Sequence, residues 1–151
     1  MSYCKGLLSV TVIVAVIFQA SATFSDCGSV DGSIVSVNIS KCTPSSKRCI
    51  LRRNSNVTMA ITFTSNTESN MLKAVVHGII LGVPAPFDLP NPDGCKDSGI
   101  ECPVQSGTTY KYITSLPILS AYPRVTVDIK WEIKDANNKD LICALIPAKI
   151  S

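Results

Sequence analysis

Residues 124–134 read RVTVDIKWEIK, the stretch of this sequence that most directly indicates its fold. Apolar side chains occupy alternate positions from Val125 to Ile133, and polar or charged side chains occupy the positions between them. A period of two residues is that of an extended strand, because successive side chains point to opposite faces. The pattern predicts a β-strand with one face packed on a core and the other in solvent.

The same period recurs along the chain, while helical spacing is nearly absent. Shorter alternating segments lie at 35–39, 57–63 and 109–114, and more continuously apolar segments lie at 71–81 and 141–150. Turn-forming residues at 135–140 predict a hairpin between the last two strands. Several short strands, most with one polar face, predict an all-β fold, an immunoglobulin-like sandwich of two antiparallel sheets.

The first 22 residues predict a secretory signal peptide. Lys5 supplies a positive charge, residues 7–18 form a short apolar segment, and Ala20-Ser21-Ala22 has the small residues of a cleavage site. The apolar segment is shorter than the ~20 residues of a membrane-spanning helix, which disfavours a transmembrane anchor. We therefore expect residues 23–151 to form one domain of a secreted, monomeric protein.

The cysteines predict three disulfides. Removal of Cys4 with the signal peptide leaves six of the seven cysteines, and an even number in a secreted chain indicates complete pairing. Six cysteines allow many connectivities. Proximity suggests one of them, in which Cys42 pairs with Cys49 and Cys95 with Cys102, leaving Cys27 for Cys143.

Two N-x-[ST] sequons lie in the part of the chain that we expect to be secreted. They are Asn38-Ile39-Ser40 and Asn56-Val57-Thr58. The sequons predict N-glycosylation at Asn38 and Asn56, although a tripeptide this short also occurs by chance.

Nothing in the sequence predicts catalysis or metal binding. The one histidine, His77, lies in an apolar segment, and neither a G-x-S-x-G nor a C-x-x-C motif is present. Without Lys5, 13 basic side chains face 11 acidic ones, which does not indicate a nucleic-acid partner. We expect a protein that is not an enzyme and needs no metal or organic cofactor.

Two connections are unusually apolar and rich in proline, at 83–90 and 115–123. Connecting segments are usually polar, and proline stiffens a chain by fixing φ. The two segments could form a rigid apolar rim around a pocket between the sheets. Alternatively, they could pack on the ends of the core, which composition alone favours.

Several motifs in one order resemble a known family. They are Asp26–Gly32 (DCGSVDG), Lys73–Ile79 (KAVVHGI), Gly82–Phe87 (GVPAPF) and Pro92–Lys96 (PDGCK), followed by Leu116-Pro117 and Tyr122-Pro123. Together they resemble the Niemann-Pick disease type C protein two family, within the ML lipid-recognition superfamily. The resemblance covers residues 23–151 and implies an immunoglobulin-like sandwich with a sterol-sized cavity and the disulfide pairing given above.

The resemblance also implies a ligand site. Its lining would include Phe87, Ile118 and Tyr122, with Trp131 deeper and with Val83 and Pro84 at the entrance. The family has valine at the position of Ile118 and tyrosine at that of Val57, and both short disulfide loops look longer here. These departures leave open whether the ligand is a sterol or another lipid.

A transfer surface is the second feature that the resemblance implies. It would comprise His77, Gly78 and Ile79, with Asp93 and Lys96 nearby, and would pass a sterol to a membrane or acceptor protein in the late endosome or lysosome. Three alternatives stay open: an extracellular carrier of fatty acids or semiochemicals, an innate-immune lipid sensor, and a protein-binding adhesion module with a filled core.

Overall fold

A computed structural model describes residues 12–13, 23–42 and 47–151, which contain nine strands and no helix. The strands are β1 (Ser25–Asp26), β2 (Gly32–Ile39), β3 (Cys49–Leu51), β4 (Ser55–Ser65), β5 (Lys73–Ile80), β6 (Val83–Phe87), β7 (Thr109–Ile118), β8 (Thr126–Lys134) and β9 (Asp140–Ile150). The predicted signal peptide lies outside these residues apart from Val12 and Ile13, so it stays a prediction.

The strands form two sheets, which confirms the predicted fold class. The larger sheet has the order β1-β9-β8-β5-β6, and β3 pairs with the far end of β9. The smaller sheet has the order β2-β4-β7. All pairs are antiparallel except β3 with β9, which is parallel and aligns Leu51 with Ile150.

The alternating segment at residues 124–134 forms β8, as predicted. Its apolar positions Val127, Ile129, Trp131 and Ile133 are buried against the smaller sheet, whose core residues include Met59, Ile61, Phe63 and Tyr112. The polar face is not uniformly solvated, because Glu132 is only 7 % exposed. Its carboxylate lies 3.2 Å from Lys134 Nζ, which compensates the burial of its charge.

Two segments differ from their predicted conformation. Residues 83–87, expected as a loop, form the edge strand β6, and residues 115–118 complete β7. An edge position tolerates Pro84 and Pro86, since a missing N–H costs nothing where no further strand pairs. On β2 a bulge between Ile34 and Ser36 breaks the expected alternation and leaves Val35 59 % exposed.

Three disulfides connect the described residues. Cys27 pairs with Cys143, Cys42 with Cys49, and Cys95 with Cys102, which is the pairing that proximity suggested and the resemblance implied. The first bond fastens the start of the domain to β9 over a sequence separation of 116 residues.

The two sequons lie next to each other on the smaller sheet. Asn38 is half-buried on β2, and Asn56 is exposed on β4. Ser40 and Thr58, the third residues of the two sequons, are joined by two hydrogen bonds. The Thr58 amide donates to Ser40 Oγ at 2.8 Å, and the Ser40 amide donates to the Thr58 carbonyl at 2.9 Å. Glycosylation of either asparagine stays a prediction.

Candidate functional site

A cavity of about 180 Å³ lies between the two sheets, at the end where the β5–β6 turn meets the β7–β8 connection. Tyr122 supplies the one side-chain polar group among the described lining residues. The lining consists of Leu51, Val76, Gly78, Ile80, Ala85, Pro86, Phe87, Leu116, Ile118, Tyr122, Pro123, Val127, Ile129 and Ile150. An apolar cavity of this kind offers no acid, base or nucleophile, but it suits an apolar molecule.

Strand alternation builds the walls. Val76, Gly78 and Ile80 line the cavity from β5, Val127 and Ile129 from β8, and Leu116 and Ile118 from β7. Every second side chain of a strand points to the same face. A side chain in place of Gly78 would crowd Val127, because a Cβ at this position would lie 3.2 Å from Val127 Cγ2.

Two half-buried aromatic rings of the lining meet at the mouth of the cavity. Phe87 at the end of β6 and Tyr122 after β7 meet edge to face, with ring centroids 5.6 Å apart and an interplanar angle of 66°. This geometry is favourable for aromatic pairs. Burial, together with the negative charge of Asp88, raises the pKa of Tyr122, so its phenol stays neutral at physiological pH.

The residues expected at the ligand site divide into two groups. Phe87, Ile118 and Tyr122 line the cavity, whereas Trp131 does not. Trp131 is fully buried in the core beyond Ile129, where its ring centroid is 6.1 Å from that of Tyr112. The Tyr112 hydroxyl and Trp131 Nε1 are buried and have no hydrogen-bond partner among the described residues.

The expected entrance residues also lie outside the lining. Val83 is 66 % exposed at the β5–β6 turn, and Pro84 pairs with Ile79 on β5. Ala85 and Pro86, one and two residues further along β6, contribute to the lining instead.

The residues of the expected transfer surface do not share one face. His77 and Ile79 lie on the outer face of β5, whereas Gly78 faces the cavity. His77 Nδ1 is 3.9 Å from Glu132 Oε1, too far for a hydrogen bond. Asp93 pairs with Lys73 at the far end of β5, four residues or about 13 Å from His77, and Lys96 is exposed in the following turn.

Sequence reasoning missed most of the walls. The alternation of β8 already placed Val127 and Ile129 on an apolar face, so it carried a usable signal. No sequence signal pointed to Leu51 and Ile150, because they meet only through the parallel pairing of β3 with β9. Their contribution depends on tertiary structure.

The described residues show neither a metal site nor a membrane-spanning helix. No cluster of three or more histidine, cysteine, aspartate or glutamate side chains has the arrangement of a metal site. No helix with the length and hydropathy needed to span a bilayer occurs in this part of the chain.

The comparison with protein families gives the assignment. The ML domain profile matches residues 21–150, nearly the whole of the described structure. NPC intracellular cholesterol transporter 2 of Danio rerio is 46 % identical over 127 residues, which are 84 % of this chain and 83 % of the relative. This chain is an ML domain protein of the Niemann-Pick type C2 family.

Other members of the Niemann-Pick type C2 family match as well. NPC intracellular cholesterol transporter 2 homolog a of Drosophila melanogaster is 45 % identical, over 89 % of this chain and 91 % of the relative. The crystal structure of a Niemann-Pick type C2 protein from the Japanese carpenter ant superposes with a TM-score of 0.82 at 33 % identity, covering 85 % of this chain and 99 % of that one. The family assignment therefore rests on both sequence and fold.

Proposed function

We propose that this protein carries one sterol molecule in the cavity between its sheets and delivers it to a membrane or an acceptor protein. The observation that carries the proposal is the cavity itself, which is apolar apart from the Tyr122 phenol and has the Phe87–Tyr122 ring pair at its mouth. Relatives named cholesterol transporters support a sterol as the ligand. A cavity in the interior disfavours the adhesion module, which requires a filled core.

The geometry indicates how a sterol would be held. Its fused rings and side chain would pack on the aliphatic walls, and its hydroxyl would lie near the phenol of Tyr122. Burial of a few hundred Å² of apolar surface at ~25 cal/mol per Å² contributes several kcal/mol, and the entropy of association offsets part of this. Pockets for small molecules usually measure about 300–1,000 Å³, so the mouth and walls must move apart during binding.

Delivery needs a surface beside the mouth that tolerates contact with lipid. Leu81 and Val83 at the β5–β6 turn are 98 % and 66 % exposed. They lie between Ile80 and Ala85, which line the cavity, so a membrane that contacts the turn would lie close to the mouth. The proposal places this activity in a secreted protein or in the lumen of late endosomes and lysosomes.

A carrier of fatty acids or other slender lipids is the second candidate. The small volume of the cavity, about 180 Å³, favours it, since a single acyl chain is thinner than a fused ring system. Apolar walls do not distinguish the two ligands, because the hydrophobic effect is not directional.

Binding of dehydroergosterol, a fluorescent sterol, tests the proposal. The protein is titrated with this sterol, and cholesterol and oleic acid are then added separately as competitors. The proposal requires one-to-one binding that cholesterol reverses and oleic acid does not. Displacement by oleic acid would favour the second candidate, and the lack of any sterol binding would refute sterol carriage.

Matched variants assign the site. Phe87→Ala and Tyr122→Ala are expected to weaken sterol binding by roughly tenfold or more with little change in the fold, because each removes a ring from the mouth. Tyr110→Ala is the control, since Tyr110 lies at the far end of β7 and outside the cavity. Equal losses in all three variants would show that the mouth has no special role.

A further inference from the structure

One arginine side chain holds the segment that carries Tyr122. Arg53 Nη1 donates to the carbonyl oxygen of Ser120 at 3.1 Å and to that of Tyr122 at 3.4 Å. The Tyr122 amide also donates to the Leu119 carbonyl at 3.2 Å, which makes residues 119–122 a closed turn. The guanidinium therefore fixes both ends of the tripeptide 120–122, at the mouth of the cavity.

The backbone of Arg53 is itself well anchored. The residue lies in the crossover between β3 of the larger sheet and β4 of the smaller one. Its amide donates to the Ser151 carbonyl at 3.0 Å, and the next amide, that of Asn54, donates to the Ile118 carbonyl at 2.7 Å. Arg53 thus reaches the turn at residues 119–122 from a point that is hydrogen-bonded to both sheets.

We propose that Arg53 is a positioning residue for the gate formed by Tyr122 and Phe87, and that it sets the rate at which lipid enters and leaves the cavity. The inference rests on the proposed function, because it gives the Phe87–Tyr122 ring pair at the mouth a role in lipid exchange. We call the two hydrogen bonds from Arg53 to the Ser120 and Tyr122 carbonyls the clamp. Hydrogen bonds from a charged donor are stronger than neutral ones, so the clamp fixes the backbone that carries the Tyr122 ring in its place beside Phe87. Ligand exchange then requires the ring to turn or the clamp to open.

The neighbouring arginine provides a matched control. Arg52 is exposed, carries the same charge, and its side chain makes no hydrogen bond or ion pair with the described residues. A contribution from positive charge alone, such as attraction to an anionic membrane, would be lost from Arg52→Gln and Arg53→Gln alike. A contribution from the clamp would be lost only from Arg53→Gln.

The test measures release without a membrane. Protein loaded with dehydroergosterol is mixed with excess cholesterol in cyclodextrin, and the loss of sterol fluorescence gives the dissociation rate. Arg53→Gln should release the sterol about tenfold faster than wild type, Arg53→Lys at an intermediate rate, and Arg52→Gln at the wild-type rate. Arg53→Lys keeps the comparison valid if the glutamine variant folds poorly.

A double variant separates positioning from general stability. In a Tyr122→Ala background the gate ring is gone, so Arg53→Gln should cause no further acceleration. Multiplicative effects of the two substitutions, or a wild-type release rate in Arg53→Gln, would overturn the proposal.

Hydrogen exchange of the Tyr122 amide reports on the clamp without any ligand. It should be faster in Arg53→Gln than in Arg52→Gln, and equal protection in the two variants would refute the clamp. If wild type binds no sterol at all, the proposed function fails, and this exchange measurement still decides whether Arg53 positions the turn.

Discussion

At the scale of single residues, Gly78 lines the cavity without a side chain of its own. A Cβ at this position would lie 3.2 Å from Val127 Cγ2, closer than side chains normally pack. Gly78→Ala should therefore lower sterol affinity by about tenfold, through a narrower cavity and strain at β8. Titration with dehydroergosterol measures the affinity, and a parallel thermal melt shows whether the fold is retained. An unchanged affinity would mean that ligands do not reach this wall.

Tyr112 and Trp131 carry the two buried polar atoms that lack partners among the described residues. Burial raises the pKa of Tyr112 by more than the neighbouring Thr114 and Trp131 side chains lower it, so its hydroxyl stays protonated. Neither neighbour lies in hydrogen-bond geometry with the hydroxyl. An unpaired buried hydroxyl costs free energy, and its removal without a change of ring shape should be neutral or stabilising. Tyr112→Phe should therefore raise the free energy of unfolding by up to about 1 kcal/mol. A marked decrease in the free energy of unfolding, measured by urea denaturation, would instead show that the hydroxyl is hydrogen-bonded in solution.

At the scale of structural elements, the β5–β6 turn combines strain with exposure. Leu81 has a φ of 50° and Gly82 one of 77°, and two left-handed residues in succession are typical of the type I′ hairpin turn. Asparagine is the usual first residue of this turn, whereas a leucine that is 98 % exposed benefits neither the turn nor the core. The residue therefore fits contact with lipid better than it fits stability.

Leu81→Asn separates these two roles. It should raise the free energy of unfolding by about 0.5–1 kcal/mol, because asparagine tolerates a positive φ. It should also slow sterol transfer to phosphatidylcholine vesicles, while release into cyclodextrin stays unchanged. Ile113→Gln, at an exposed apolar residue of β7, is the control. Equal rates of sterol transfer by both variants and wild type would show that the turn is not part of the delivery surface.

The turn after β1 depends on a carboxylate. Burial acts to raise the pKa of Asp26, but hydrogen bonds from the Ser29 hydroxyl and from the Ser29 and Gly28 amides outweigh it, so the pKa is lowered. Ser29 Oγ in turn accepts a hydrogen bond from the Cys143 amide at 3.0 Å. Asp26 thus helps to fasten β1 to β9.

The sign of the pH dependence follows from the lowered pKa. A carboxylate whose pKa is depressed by folding stabilises the fold above its unfolded pKa and loses this effect as pH falls through its folded pKa. Asp26→Ala should cost less than about 1 kcal/mol at pH 7 and at pH 5, since solvent screens an exposed carboxylate, and the difference from wild type should shrink below about pH 4. Thermal melts of both proteins between pH 7 and pH 3 measure this difference in stability. A difference that grows on acidification would contradict the assignment.

At the scale of the whole molecule, the Cys27–Cys143 disulfide joins nearly the two ends of the domain. A bond that closes so long a loop restricts the unfolded chain strongly, by about 4–5 kcal/mol in the chain-entropy account. Replacement of both cysteines by serine should therefore lower the melting temperature substantially. Removal of Cys42 and Cys49, which close a short loop, should cost less. The melting temperatures of the two variants test this. A lower melting temperature for the variant without Cys42 and Cys49 than for the variant without Cys27 and Cys143 would contradict it.

Much of the architecture followed from the sequence alone. The alternation at 124–134 predicted β8 and its buried face, and the turn residues at 135–140 predicted the hairpin to β9. These features are local, because a strand's two faces and a turn's backbone depend on residues a few positions apart. Cysteine spacing suggested the disulfides, and the family motifs pointed to Phe87, Ile118 and Tyr122.

The rest of the site was decided by tertiary structure. Leu51 and Ile150 meet across a parallel pair, Arg53 reaches the turn at 120–122, and Trp131 falls beyond the cavity instead of within it. Prolines at 84 and 86 suggested a loop, yet a free sheet edge accepts them as a strand. Each outcome depends on which distant strands become neighbours, and the sum of long-range packing, not any local pattern, determines that arrangement.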